Sequence, residues 1–96
     1  MNQFGERIRE LRMQLNIRQR QIAALLEADT AFVSKMEKGT RQPKREQVIA
    51  LASLLKIDQE ELIALWLADK VYEVIKNENM ADEALKTVST KLMNEK

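Results

Sequence analysis

Apolar residues in this chain repeat at steps of three and four residues, the spacing that places side chains on one side of an α-helix. Phe4, Ile8, Leu11 and Leu15 form the first such stripe and predict a helix at about residues 3–15. The same spacing predicts five further helices: at about 18–26, from residue 29 or 30 to 38, at about 45–56, from 58 to an interruption at 77–79, and at about 80–93. We therefore predict an all-α fold, without internal repeats.

Residues at the ends of these segments agree with the helix assignment. Asp29 and Thr30 are N-cap candidates for the third helix, because their side-chain oxygens can accept a hydrogen bond from a backbone N–H of the first turn. Gly39 follows that helix and fits the left-handed conformation in which many helices end. Asp58 followed by Glu61 has the form of a capping box and opens the fifth helix. We expect the fourth helix to bury Val48, Ile49, Leu51, Ala52 and Leu55.

The composition argues against several classes of protein. The chain has no Cys and no His, only 2 Gly and 1 Pro, and 4% aromatic residues. A chain without Cys or His lacks disulfides, thiolate ligands, the commonest metal ligand and the usual general base. Few Gly, Pro and aromatic residues also disfavour an all-β fold. We therefore expect no catalytic residues, no metal and no cofactor, and hence no enzyme.

The sequence also shows no membrane or export signal. No stretch approaches the roughly 20 apolar residues of a membrane span. The first residues lack the basic start and apolar run of a secretory signal. We expect a cytoplasmic protein without a membrane partner.

Charge is distributed unevenly along the chain. Residues 1–45 contain ten basic and five acidic side chains, a net charge of +5, whereas residues 46–96 contain six lysines and ten acidic residues, a net charge of −4. Every arginine lies in the first half. Because arginine suits bidentate contacts to phosphate and guanine, this asymmetry favours a polyanionic partner for the N-terminal half.

Several residues along the first two thirds of the chain match one family pattern. They are Arg12 on the first helix, Gln19 at the start of the second, the small Ala23, the apolar Val33 and Met36 of the third, the run Ser34–Gly39, and Pro43 before the apolar fourth helix. Over about residues 4–66 the chain resembles the lambda-repressor-like, or xenobiotic-response-element (Cro/CI-type), helix-turn-helix family. It is similar to small prophage repressors and to restriction–modification controller proteins. The resemblance implies a five-helix DNA-binding domain, here with an extended fifth helix and a sixth, C-terminal helix.

The resemblance assigns the third helix to the major groove of DNA. Its outward positions, the candidates for base contacts, are Thr30, Ala31, Phe32, Ser34 and Lys35. Candidates for phosphate or minor-groove contacts are Arg18, Gln19, Arg20, Lys38, Arg41, Lys44 and Arg45. Phe32 has an alternative position, packed against the second or fourth helix. Arg12 and Glu37 are expected to pair with each other, as in similar domains.

The sequence departs from the family pattern in two ways. The turn between the second and third helices usually has Gly where this chain has Glu27, because the backbone there adopts a positive φ. The second and fourth helices are preceded by Arg18 and Lys44, which cannot act as side-chain N-caps. Both cations also lie at a helix N-terminus, where the helix dipole disfavours them. We take the presence of Arg18 and Lys44 at these two helix N-termini as support for phosphate contacts there.

The fifth helix indicates how the last third of the chain is used. Its apolar residues cover more than half of its circumference, which one small domain cannot bury. We predict a helix-turn-helix domain at 1–66 and a C-terminal helical extension at 67–96 that acts as a dimerisation element. Trp66, Tyr72 and Ile75 are the candidate interface residues, since aromatic residues anchor interfaces. The alternative is a two-helix cap within one chain.

These features predict a dimeric, sequence-specific transcriptional regulator that binds a palindromic operator in double-stranded DNA. The type is an autoregulatory repressor or a restriction–modification controller, and we expect no small-molecule effector. One alternative is an antitoxin whose helix-turn-helix represses its operon while the C-terminal half neutralises a toxin. A third hypothesis is an interaction module that no longer binds DNA.

Overall fold

The computed structural model describes residues 1–96 and is entirely helical. Its six helices are α1 (Gln3–Gln14), α2 (Gln19–Leu25), α3 (Thr30–Lys38), α4 (Arg45–Leu54), α5 (Gln59–Ile75) and α6 (Ala81–Asn94). Each lies where the apolar spacing predicted it, so the predicted all-α fold is confirmed. None of the helices is long and apolar enough to cross a membrane.

Three helices begin with a side-chain N-cap. The Asp29 carboxylate accepts a hydrogen bond from the backbone N–H of Phe32 at 2.8 Å, as predicted for α3. Asp58 likewise accepts one from Glu61 at 3.0 Å, and Asn2 caps α1 through Gly5. These bonds satisfy N–H groups that have no partner within the helix.

Helices α2 and α4 begin with the cations that the sequence analysis singled out. Neither the Arg18 nor the Lys44 side chain caps its helix. Instead the Gln21 side chain accepts a hydrogen bond from the Arg18 backbone N–H at 2.7 Å, and Gln47 accepts one from Lys44 at 2.8 Å. Each helix thus keeps the reciprocal half of a capping box.

Each of four helices is followed by a single residue in the left-handed conformation. Gly39 ends α3 with φ 82°, as predicted, and Glu27 follows α2 with φ 54°, so the turn keeps the family's positive φ without a glycine. Asn16 after α1 and Lys56 after α4 also have positive φ. After each, the next N–H returns to a carbonyl five residues earlier, for example Ala28 to Ala23 at 2.9 Å. This bond satisfies a carbonyl of the last turn, which offsets the strain of a non-glycine residue there.

One apolar core holds α1 to α5 together. Its buried members are Phe4, Ile8, Leu11, Ile22, Ala23, Leu26, Val33, Met36, Val48, Leu51, Ala52, Leu55, Leu62 and Trp66. Ile49, which we predicted to be buried, is 38% exposed. The inward side of α4 is filled by its neighbours Val48, Leu51, Ala52 and Leu55. Ile49 lies beyond the edge of that side.

Helices α1 and α3 approach each other unusually closely. A side chain at Gly5 would lie 2.5 Å from the Met36 carbonyl oxygen and 2.7 Å from that of Glu37, so only glycine fits there. Beside it, the Asn2 amide nitrogen donates to the Glu37 carbonyl at 2.7 Å. The exposed helix α3 is therefore held rigidly against α1.

Packing stops within α5. Asp69 is the last buried residue of the chain, and α6 buries none of its residues. We call residues 3–69 the packed body and residues 70–96 the projecting end.

Candidate nucleic-acid interface

Helices α2 and α3 form the helix-turn-helix, joined by a four-residue turn at 26–29. Ile22 and Ala23 of α2 and Val33 and Met36 of α3 are buried together in the core. The small Ala23 is 5% exposed within this core. The opposite side of α3 is thereby turned outward.

The outward side of α3 carries the predicted base-contact residues. Thr30, Ala31 and Lys35 are exposed, whereas Phe32 and Ser34 are half-buried. The Asp29 cap at the start of α3 fixes its first turn, where these residues begin. Short polar and basic side chains therefore line the exposed surface of a rigid helix.

Phe32 is half-buried, between the exposed position of a base contact and a position inside the core. Its ring packs against the edge of the core, and the Arg41 guanidinium carbon lies 5.5 Å from the ring centroid. At this distance the cation and the ring attract each other. Lys35 and Arg41 line one shallow cleft with Phe32, so the connector after α3 brings a second cation beside the helix.

A polar cleft lies on the other flank of α3. Gln19, Ser34 and Lys38 line it together with Arg9 of α1. The sequence analysis counted Arg9 in the basic excess but did not include it among the site residues, because α1 was analysed only for its buried stripe. The signal was available in the sequence: Arg9 lies about 100° around α1 from Ile8, outside the apolar stripe.

A buried carboxylate connects α1, α2 and α3 beneath this cleft. Glu37 is 6% exposed and accepts hydrogen bonds from Arg12 Nε at 2.7 Å, from Arg12 Nη2 at 3.1 Å and from Gln19 Nε2 at 3.1 Å. The expected Arg12–Glu37 pair is therefore confirmed, in bidentate geometry. The bond to Glu37 uses one of the two N–H donors of the Gln19 amide, which leaves the other donor and the backbone N–H at the start of α2.

The predicted phosphate contacts share one electrostatic property. All six cations are exposed and none forms an ion pair: Arg18, Arg20, Lys38, Arg41, Lys44 and Arg45. The five ion pairs of the molecule use other residues. The positive charge of this surface is thus uncompensated within the chain.

The structure does not gather all of these cations around α3. Lys44 lines a cleft beside the α2–α3 turn with Glu27, and Arg18 lines one at the α1–α2 loop with Arg12. The Arg45 guanidinium carbon lies 5.3 Å from the centroid of the Trp66 ring. Only Arg41 and Lys38 line clefts directly along α3.

Trp66 is not available as an interface anchor in the way that we predicted. It is 7% exposed, and its indole N–H donates to the Pro43 carbonyl at 3.1 Å. A second cation, Lys70 Nζ, lies 4.3 Å from its ring centroid. The Trp66 side chain is buried in the core, and its hydrogen bond to Pro43 holds the connector between α3 and α4 against α5. Of the other two candidates, Tyr72 is exposed and Ile75 is half-buried.

Asp69 is a structural residue that the sequence analysis missed. It is 3% exposed, and its carboxylate accepts hydrogen bonds from the backbone N–H groups of Gln3 at 3.0 Å and Phe4 at 2.9 Å. A carboxylate at a helix N-terminus is favoured by the helix dipole. These bonds tie α5 to α1, so the packed part of α5 extends beyond residue 66. The signal in the sequence was that Asp69 directly follows the apolar run 62–68 of α5.

Comparisons with known proteins agree with this geometry. Residues 3–65 match a family model described as a helix-turn-helix domain. An uncharacterized HTH-type transcriptional regulator of Bacillus subtilis, RghRB, is 37% identical over 65 residues, which make up 67% of this chain and 47% of the relative. The chain thus spans about half the length of the curated relative that it matches.

A solved structure shows the same arrangement of helices. The crystal structure of the restriction-modification controller protein C.AhdI from Aeromonas hydrophila superposes with a TM-score of 0.56 at 34% identity, over 64% of this chain and 88% of the other. The predicted lambda-repressor-like fold is therefore confirmed. From the family match, this likeness and the geometry of α2 and α3, we conclude that the chain belongs to the XRE/Cro-type helix-turn-helix family.

Proposed function

We propose that the protein is a transcriptional regulator that binds specific sequences of double-stranded DNA, with a binding rather than a catalytic role. One observation carries this proposal: an outward-facing, rigidly held helix α3 is flanked by exposed cations that have no ionic partner in the chain. Because DNA carries about one charge per 1.7 Å of its axis, such a surface gains binding energy from phosphate contacts and counterion release.

In this proposal α3 enters the major groove with its N-terminal half toward the base edges. Lys35 donates to guanine, Thr30 and Ser34 bond to either type of base, and Ala31 contacts a thymine methyl. The Phe32 ring supports Arg41 on one face, and its exposed edge contacts a neighbouring thymine methyl. Phosphate contacts then position the protein without specifying the sequence.

The phosphate contacts divide into two groups around α3. Arg41 acts on one flank, either at a phosphate or as a minor-groove probe. Lys38 acts on the other flank with the backbone N–H of Gln19. The more distant cations Arg18, Arg20, Lys44 and Arg45 extend the positive surface toward neighbouring phosphates.

We further propose that two copies act together on a palindromic operator. A single module with a few base contacts binds weakly, whereas two linked modules gain affinity by binding half-sites about 34 Å apart. Residues 1–66 would be the DNA-binding domain and residues 67–96 the dimerisation element, with Tyr72 and Ile75 at the interface. We propose an autoregulatory repressor or a restriction–modification controller as the type of regulator, and the likeness to the restriction-modification controller protein C.AhdI favours the latter.

The test is selection of the purified protein on a pool of random duplexes at near-physiological salt, followed by sequencing of the bound DNA. We expect enrichment of an inverted repeat, whose half-site spacing reports the geometry of the two copies. If no sequence is enriched over the input pool, the proposal of specific recognition is wrong.

A substitution sharpens the same experiment. We expect Lys35→Ala to weaken binding to the selected site by about 1–3 kcal/mol and to relax the preference at one base pair, because a bidentate guanine contact is lost. Lys86→Ala on α6 is the matched control and should leave the affinity unchanged. Equal loss of affinity for selected and random DNA would remove Lys35 from the base-contact residues.

A further inference from the structure

Two exposed cations from different helices lie on one tryptophan ring. The guanidinium carbon of Arg45, at the start of α4, is 5.3 Å from the centroid of the Trp66 ring, and Nζ of Lys70, in α5, is 4.3 Å from it. We call Arg45, Trp66 and Lys70 the tryptophan corner. Its two positive charges lie within one Debye length of each other, which is about 10 Å at 0.1 M salt, so one ligand can interact with both.

The tryptophan ring holds these cations in place without neutralising them. Trp66 is 7% exposed, and its indole N–H donates to the Pro43 carbonyl at 3.1 Å, so the ring itself is fixed. A cation within about 6 Å of a ring centroid is attracted to the aromatic face. This attraction restrains long side chains that otherwise sample many rotamers. Both charges are therefore positioned before any ligand binds.

No carboxylate compensates the charge of the corner. Neither of its cations forms an ion pair. The acidic residues nearest in sequence are engaged elsewhere: Glu46 lines the cleft beside the α2–α3 turn, Asp69 binds backbone N–H groups of α1, and Glu73 pairs with the next lysine at 3.0 Å. The two cations repel each other, and an anion that contacts both relieves this repulsion. The corner therefore suits an anionic ligand.

The corner continues the basic surface beside α3. Trp66 holds Pro43, which belongs to the same connector as Arg41, and Arg45 follows at the start of α4. Each DNA strand presents a phosphate about every 3.4 Å along the axis. A DNA backbone that contacts Arg41 thus presents further phosphates to the cations along this connector. This continuity favours DNA over an acidic protein as the ligand of the corner.

We propose that the sugar-phosphate backbone of bound DNA passes over the tryptophan corner, where Lys70 is a phosphate contact together with Arg45. The contact surface then extends from α3 to the first residue of the projecting end. This inference rests on the proposed DNA-binding function and adds α5 to its contact surface. Trp66 does not contact the DNA; it is a positioning residue for the two cations.

Salt titration of DNA binding by the full chain tests the inference. Lys70→Met should reduce the slope of log K against log salt by about 1, because one phosphate contact is lost. Methionine keeps an unbranched side chain that packs on the Trp66 ring, and it is a good helix former. Urea unfolding should therefore give the same midpoint for the variant as for the wild-type protein.

A matched control removes the same charge elsewhere on the chain. Lys76→Met, at the end of α5, should leave the salt slope unchanged. An equal reduction by both variants would reflect net charge alone and would overturn the inference. Lys70→Arg should restore the wild-type slope, because arginine also binds phosphate and lies on aromatic rings. If Lys70→Arg behaved like Lys70→Met, a phosphate contact at this position would be wrong.

Trp66 supplies a second readout, since it is the single tryptophan of the chain. Bound phosphates attract the cations that lie on its ring, and tryptophan emission responds to charges beside the indole. We expect saturating duplex to change the Trp66 emission of the wild-type protein at least twice as much as that of Lys70→Met. An emission unchanged by DNA, or changed equally in both proteins, would overturn the inference.

The outcomes separate this inference from the proposed function, because phosphate contacts can be measured on a random duplex. If no sequence is enriched but Lys70→Met still lowers the slope, the corner binds DNA and specific recognition is wrong. If a sequence is enriched but Lys70→Met leaves the slope unchanged, the inference is wrong and the proposed function stands. The corner would then be free for an acidic protein. A protein that binds no duplex would overturn both.

Discussion

The packed body and the projecting end are built from similar amphipathic helices, but they bury their apolar side chains very differently. All 14 residues of the core come from positions 4–66, whereas no residue beyond Asp69 is buried. Helix α6 has an apolar stripe as regular as that of α1. Amphipathic spacing therefore predicts a helix and its apolar side, but it does not tell whether the same chain covers that side.

The two regions also differ in how they use charge. In the packed body the two buried acidic residues, Glu37 and Asp69, each bind donors from other helices, while the exposed cations near α3 have no partner. In the projecting end all charges are exposed, and several form pairs within one helix, such as Lys91 with Glu95 at 3.6 Å. Exposed pairs of this kind contribute little stability. In the packed body, buried carboxylates position the helices, and the exposed cations near α3 remain without an ionic partner. In the projecting end, the charged side chains are exposed to solvent and hold no other helix in place.

The largest expected effect comes from truncating a leucine in each region. Leu51→Ala should lower the free energy of unfolding by about 2–5 kcal/mol, because Leu51 is 0% exposed and its removal leaves a cavity. Leu92→Ala, at 55% exposure, should change it by less than about 0.5 kcal/mol. Urea unfolding at low protein concentration, where a dimer contributes least, measures both. Similar losses for the two variants would contradict the contrast between the regions.

A smaller effect is expected at the boundary between the regions. Asp69→Asn should cost about 1–3 kcal/mol of unfolding free energy, since an amide oxygen replaces two acceptors and an N–H₂ group then faces a backbone donor. Glu73→Gln, one turn later and exposed, is the control and should be nearly neutral. Thermal unfolding of both variants checks this. If Asp69→Asn were as mild as the control, α5 would not be tied to α1 through this carboxylate.

The smallest effect concerns the salt dependence of DNA binding. Lys38→Gln should reduce the slope of log K against log salt by about 1, because one phosphate contact is lost. Lys86→Gln on the projecting end should leave the slope unchanged. Titrations of a selected duplex at several salt concentrations measure both. An equal reduction by Lys86→Gln would mean that α6 also contacts DNA.

Much of the fold could be predicted from local sequence. The caps at Asp29 and Asp58 and the left-handed conformation of Gly39 depend on atoms within a few residues. The residue types at these positions were therefore enough to predict them. Family resemblance added the positive φ of Glu27 and the Arg12–Glu37 pair. The predicted base-contact residues all lie on α3 and remain predictions, as do the individual phosphate contacts.

The errors have a common origin. Trp66 was expected at an interface because it is aromatic and lies on a broadly apolar helix, yet its indole N–H is bonded to Pro43 inside the body. Ile49 was expected inside because its neighbours are apolar, but it lies beyond the inward side of α4. Arg9 was passed over because α1 supplies core residues. In each case the outcome depends on how one helix is oriented against another.

Six helices, their ends and most of the core follow from local sequence, because a helix and its caps arise from interactions within one or two turns. Three features depend instead on packing between helices: Asp69 caps a helix 65 residues earlier, Gly5 lets α1 meet α3, and the apolar side of α6 stays uncovered. Such contacts depend on the angles and distances at which helices dock. Those are determined by the packing of the whole core, and no single stretch of sequence contains them.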